Sequence, residues 1–104
     1  MDKLEKIIDV LKELRESSLA IDSESDLKST MQKYSMLFLG GSFNKITSME
    51  LRHCLLTIFE YEISEEEFLK LIPVACKSLR MEVEPLSRLE EPGQLVGYYI
   101  QLFK

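Results

Sequence analysis

Two helix-start signals constrain the fold of this chain most strongly. Thr47 to Glu50 and Ser64 to Glu67 both place a hydroxyl residue three positions before a glutamate. In such a capping box the hydroxyl accepts from the backbone N–H of the glutamate, whose side chain accepts from the N–H of the capping residue. Apolar residues recur at helical spacing after each box: Leu51, Cys54, Leu55, Ile58, then Phe68, Leu71, Ile72, Ala75 and Leu79. The pattern predicts one helix from Ser48 to Phe59 and another after Ser64.

Two further helices are expected before these. An apolar stripe with helical spacing marks the start of the chain: Leu4, Ile7, Ile8, Leu11 and Leu14. A second helix should begin near Ser23 or Ser25 and bury Leu27, Met31, Tyr34 and Phe38. We expect it to end at Gly40-Gly41, because glycine readily adopts the left-handed conformation found after helix C-termini.

The last third of the chain carries weaker signals. Pro73 should kink or break the fourth helix, because proline removes an N–H and crowds the carbonyl four residues earlier. After Leu79, Met81, Val83 and Pro85 alternate with charged residues, which favours a short extended piece. Residues 92–103 fit helical spacing with Pro92 in the first turn, although residues 96–100 also fit a strand. We favour the helix.

These elements predict the fold class. A chain of 104 residues is one domain's length, and its 45% apolar content can supply one core. We therefore predict a single all-α domain over residues 1–104. It would be a bundle of four to five helices with a minor extended segment.

Part of the chain resembles the calmodulin-like EF-hand family. The run from Lys45 to Leu56, KITSMELRHCLL, and the run from Glu62 to Ile72, EISEEEFLKLI, resemble the end of a calcium loop, its exiting helix and the start of the next helix. The resemblance places the twelve-residue loop at Leu39 to Glu50. Calcium needs side-chain oxygens at the first, third and fifth loop positions. This chain has Leu39, Gly41 and Phe43 there, so the resemblance implies a hand that does not bind calcium.

The negative charge is concentrated in one segment. Residues 60–91 carry nine acidic and four basic side chains, a net charge of −5. The whole chain has the same net charge. Clustered Lys and Arg, which nucleic-acid binding requires, are absent from the sequence pattern. The glutamates are explained either as solvated helix faces and first-turn residues favoured by the helix dipole, or as a surface that attracts a basic partner.

The sequence offers no catalytic, cofactor or metal motif. His53 and Cys54 are adjacent and would point about 100° apart on a helix, and Cys54 and Cys76 form no C-x-x-C pair. We expect both cysteines to be buried and reduced and His53 to lie at the surface. Without a signal-like N-terminus or an apolar run long enough to span a membrane, we predict a non-enzymatic cytoplasmic protein that binds no cofactor, metal, nucleic acid or membrane.

Three functional hypotheses remain. The leading one is a stoichiometric inhibitor or immunity-type protein that covers a basic protein partner with the acidic 60–91 segment. The residues expected to bind the partner are Glu60, Tyr61, Glu62, Glu65, Glu66 and Glu67. The alternative is a calcium-independent EF-hand-like adaptor that grips an amphipathic helix, for which Met31, Met36, Met49 and Met81 are candidates. A homodimer seam at Tyr98, Tyr99 and Phe103 is the third.

Overall fold

Four helices and three strands follow one another along the chain. The structure, a computed structural model, describes residues 3–35, 44–87 and 95–103. The helices are α1 (Lys3–Leu19), α2 (Glu24–Tyr34), α3 (Ser48–Thr57) and α4 (Glu65–Ser78). The strands are β1 (Lys45–Thr47), β2 (Glu82–Ser87) and β3 (Leu95–Gln101).

The three strands form an antiparallel sheet in which β3 lies between β1 and β2. Ile100 of β3 pairs with Ile46 of β1 on one side and with Val83 of β2 on the other. The prediction of an all-α fold was therefore wrong, since the domain combines helices with a small sheet. The extended piece expected after Leu79 is confirmed as β2.

The helix predicted over residues 92–103 was wrong, because residues 95–101 form β3. Their apolar residues also fit helical spacing. The residues of β3 are mostly β-branched or aromatic, which favours a strand, and Gly97 disfavours a helix interior. Within β3 the buried residues are Gly97 and Ile100, and Leu102 just after the strand is buried as well. Gly97 also permits close approach to α3: a Cβ at this position would lie 2.7 Å from Ser48 Oγ. The N–H of Tyr98 donates to that oxygen at 3.0 Å.

Helix α1 runs alongside α4 in the same direction. Lys3 Nζ bonds Glu67 Oε2 at 2.6 Å near the start of both helices, and Arg15 Nη1 donates to the carbonyl of Leu79 at 3.1 Å near their ends. The core between helices and sheet contains these large, fully buried side chains: Tyr34, Phe68, Ile7, Leu11, Leu14, Ile46, Leu51, Leu55, Ile72, Ile100 and Leu102. Helix α4 continues through Pro73 without a break, flanked by buried Ile72 and Ala75. Ile58, expected in the core, is exposed.

A residue with a left-handed backbone follows each of three helices within three residues of its end, and none of these residues is glycine. They are Ser35 after α2 (φ 54°), Glu60 after α3 (φ 52°) and Arg80 after α4 (φ 59°). Helix α2 therefore ends at Tyr34 and not at Gly40-Gly41. Phe38 and both glycines lie outside the described residues. Asn, Asp and Gly are the usual residues at such positions, so a serine gave no signal.

The two capping boxes differ in completeness. Thr47 Oγ1 accepts from the N–H of Glu50 at 3.2 Å, and Glu50 Oε1 accepts from the N–H of Thr47 at 3.1 Å. At the second box, Ser64 Oγ accepts from the N–H of Glu67 at 3.3 Å. There the Glu67 carboxylate bonds Lys3 and the Ser64 hydroxyl. The first box is closed and buried, and the second is half-formed and exposed.

The order of the elements places α3 and α4 between β1 and β2 along the chain. Strand β1 nevertheless lies beside β3, the last strand, and not beside β2. Ile46, which the EF-hand resemblance places at the centre of a calcium loop, pairs with β3. Residues 39–43 of that loop lie outside the described residues, and the resemblance stays a prediction.

Candidate protein-binding surface

The six residues predicted to bind a partner lie between α3 and the first turn of α4. We call residues 60–67 the acidic corner. Its five glutamates are exposed, whereas Tyr61 is half-buried. The segment is continuous in sequence, so the structure keeps all six residues close together.

Hydrogen bonds to α3 hold the acidic corner in place. After the left-handed Glu60, the N–H of Tyr61 donates to the carbonyl of Leu55 at 2.9 Å. Arg52 Nε donates to the carbonyl of Ile63 at 3.1 Å, and the side chain of Ile63 is buried. Ser64 then caps α4. The corner thus presents its carboxylates from a fixed backbone.

The five carboxylates are not equivalent. Lys3 bonds Glu67 directly, which lowers the pKa of Glu67 and raises the pKa of Lys3. Glu66 pairs with Lys70 at 3.6 Å, one turn along α4. Within the described part of the chain, Glu60, Glu62 and Glu65 form no hydrogen bond or ion pair through their carboxylates. These three are the charges available to a partner.

Tyr61 takes part in the protein's own packing. Lys6 Nζ of α1 lies 5.9 Å from the centre of the Tyr61 ring and 5.2 Å from that of Phe59. These distances are within cation–π range. The tyrosine predicted as an aromatic anchor therefore also joins the corner to α1.

A cavity adjoins the acidic corner, and the sequence did not reveal it. We call it the corner cavity. Its volume is about 270 Å³, and it lies between α3, the corner, α4 and the start of β3. Its lining consists of Ser48, Met49, Arg52, His53, Leu56, Tyr61, Glu62, Ile63, Glu65, Phe68, Leu69 and Val96. Two apolar lining residues are half-exposed: Leu56 at 53% and Met49 at 51%.

A second, more open cavity lies between α2 and α3. It is lined by Lys28, Met31, Gln32, Ser35, Met49, Glu50 and His53, and it shares Met49 and His53 with the corner cavity. Of the methionines proposed as an adaptable surface, Met31 and Met49 meet here. Met81 is buried in the core, and Met36 lies outside the described residues.

The thiols and the histidine lie where the sequence predicted. Cys54 and Cys76 are free and buried, and burial raises the pKa of each thiol to about 12. His53 is exposed on α3, where its Nε2 lies 3.4 Å from Ser35 Oγ. Across residues 3–35, 44–87 and 95–103, no three metal-ligating side chains cluster. No described helix is long and apolar enough to cross a bilayer.

The aromatic residues proposed as a homodimer seam are partly covered by their own fold. Tyr98 and Tyr99 are half-buried in the central strand, and Lys45 Nζ lies 5.6 Å from the centre of the Tyr99 ring. Phe103 is half-buried, and its carbonyl accepts from Asn44 Nδ2 at 2.8 Å. A homodimer at this face stays a prediction.

Comparison of the chain with protein-family models, with curated proteins and with solved structures finds no match.

Proposed function

We propose that this protein is a non-enzymatic binding protein that covers a basic surface of a protein partner with its acidic corner, in the manner of a stoichiometric inhibitor or immunity protein. One observation carries the proposal. Glu60, Glu62 and Glu65 are all exposed within the acidic corner, and none of them forms an ion pair within the described part of the chain. Uncompensated charges of one sign on a small surface raise the association rate with a partner of opposite charge.

The fixed backbone of the corner supports a role in binding. Three contacts hold it: the Tyr61 N–H on Leu55, Arg52 on Ile63 and the Ser64 cap. A surface already ordered before binding loses little conformational entropy when a partner docks. The exposed glutamates alone would be equally explained as side chains solvated by water. Solvation does not require a fixed backbone beneath them.

The charge of α4 favours a protein partner over a nucleic acid. In helix-turn-helix proteins that bind DNA, the N-terminal residues of the second helix contact base edges in the major groove. The second helix of the α3–α4 pair begins with Glu65, Glu66 and Glu67, whose charge phosphates would repel. The exposed Glu82 and Glu84 of β2 add to the acidity of the predicted segment. The two free cysteines support a reducing compartment such as the cytoplasm.

A second candidate function rests on the cavity between α2 and α3. Met31 and Met49 line it, and flexible thioether side chains adapt to varied apolar ligands. This favours the adaptor hypothesis, in which an amphipathic helix binds between helices. Such binding would be insensitive to salt, whereas binding by the acidic corner would weaken as salt is added.

Affinity purification from the host cell tests the leading proposal. Wild-type bait is compared with Glu60→Gln, Glu62→Gln, Glu65→Gln bait, which leaves in place the capping Glu67 and Glu66, which pairs with Lys70. A matched control, Glu13→Gln, Glu16→Gln, Glu24→Gln, removes the same charge from exposed positions on α1 and α2. We expect a basic protein that wild type and control capture equally and the corner variant loses. Equal capture by all three baits would contradict the proposal.

A further inference from the structure

We propose that the corner cavity is a socket for one apolar side chain of the partner, with a lysine or arginine beside it that meets Glu62 and Glu65. This inference rests on the proposed function and specifies the chemistry of the partner segment. The cavity and the two free carboxylates share residues, because Glu62 and Glu65 are part of the cavity lining.

The size of the cavity suits a side chain better than a metabolite. Pockets for small-molecule ligands typically measure about 300–1,000 Å³. The corner cavity, at about 270 Å³, lies just below that range. A dry cavity of about 150 Å³ already holds a benzene-sized group. One leucine, methionine or phenylalanine side chain would therefore fit.

The lining of the cavity includes exposed apolar side chains beside the exposed polar ones. Leu56 and Met49 stand half-exposed at its edge, with Ile63 and Phe68 buried beside them. Leu95, exposed at the start of β3, precedes the lining residue Val96. Exposed apolar surface rimmed by polar residues marks interaction sites, and buried anchors at such sites contribute much of the binding energy.

The charges around the cavity select a basic occupant. Arg52 is the lining cation, and its Nε already donates to the carbonyl of Ile63. Glu62 and Glu65 have no cation within the described part of the chain. A second copy of this chain, with a net charge of −5, would bring like charges together. A segment that combines an apolar anchor with Lys or Arg fits both features.

Two labelled peptides test the socket. The first, GKKLLKKG, carries two leucines between lysines, and the second, GKKSSKKG, carries serines in their place. By fluorescence anisotropy in 0.1 M salt, we expect the leucine peptide to bind wild-type protein at least about tenfold more tightly. Leu56→Ser should remove most of this preference. Leu19→Ser, a matched change at an exposed leucine on α1, should leave it unchanged.

A second measurement locates the binding site. In ¹H–¹⁵N spectra the leucine peptide should shift the amide signals of Leu56, Ile63 and Leu69. Equal affinity for both peptides, no binding of either up to 1 mM, or shifts confined to other surfaces would overturn the socket. None of these results would affect the proposed function, which depends on capture of a basic partner by the corner glutamates. Loss of that capture would overturn both.

Discussion

Replacement of Thr47 by alanine should destabilise the protein more than replacement of Ser64, although both residues cap a helix. Thr47 is 4% exposed, and Glu50, whose N–H it accepts, is 8% exposed. Ser64 and Glu67 are both exposed. The two substitutions should therefore lower the unfolding free energy by different amounts, because water can replace a lost hydrogen bond only where it has access.

The magnitude follows from the groups left without partners. Loss of a capping hydroxyl costs about 0.5–2 kcal/mol of unfolding free energy. In Thr47→Ala the N–H of Glu50 would remain buried and unsatisfied, which alone costs about 1–3 kcal/mol. We therefore expect about 2 kcal/mol for Thr47→Ala. For Ser64→Ala, where water reaches the N–H of Glu67, we expect about 0.5–1 kcal/mol.

Urea unfolding followed by circular dichroism measures this difference. With a slope of about 2 kcal/mol per M, Thr47→Ala should lower the midpoint by about 1 M and Ser64→Ala by about half of that or less. Thr47→Ser, which keeps the hydroxyl, is the control and should retain most of the stability. Equal costs at the two caps, or a cost below about 0.5 kcal/mol at Thr47, would refute the reasoning from burial.

Three further predictions concern the thiols, a helix end and calcium. Cys54 and Cys76 should not react with Ellman's reagent at pH 8 until urea unfolds the chain. Because burial raises their pKa from 9.0 to about 12, the unfolding free energy should fall as pH rises from 9 to 12. An unfolding free energy that stays constant over this pH range would contradict the prediction. Arg80→Gly should raise the unfolding free energy by about 1 kcal/mol, since Arg80 has a φ of 59°, and an equal gain from Arg80→Ala would contradict this. Calorimetry with millimolar calcium should show no saturable heat, and a Kd below about 1 mM would revive a calcium sensor.

Local signals allowed part of the fold to be predicted. Helices α3 and α4 were found because their caps and their apolar stripes agree, and the buried Leu51 and Phe68 confirm both stripes. Strand β3 was missed because its central position depends on pairing with β1 and β2, which are distant in sequence. Pairing with two strands favours the strand conformation for a segment rich in β-branched and aromatic residues. The spacing of its apolar residues fits a helix equally well.

The sequence also allowed part of the candidate site to be predicted. The acidic corner is contiguous in sequence, so its glutamates could be identified without a fold. The corner cavity combines Met49 and Leu56 of α3 with Val96 of β3, and only the packing brings these residues together. In the sequence, Leu56 lies off the apolar stripe of α3, next to the buried Leu55. A leucine in that position is expected to be exposed, and this was the one sign of the cavity that the sequence offered.

The most direct test of the account is the rate at which the captured partner associates with the acidic corner. Stopped-flow association would be measured at 0.1 M and 1 M salt, where the Debye length falls from about 10 Å to about 3 Å. We predict that Glu60→Gln, Glu62→Gln, Glu65→Gln slows association about tenfold at 0.1 M salt and has little effect at 1 M, with the α1–α2 control unchanged. An association rate indifferent both to salt and to these three substitutions would contradict the account.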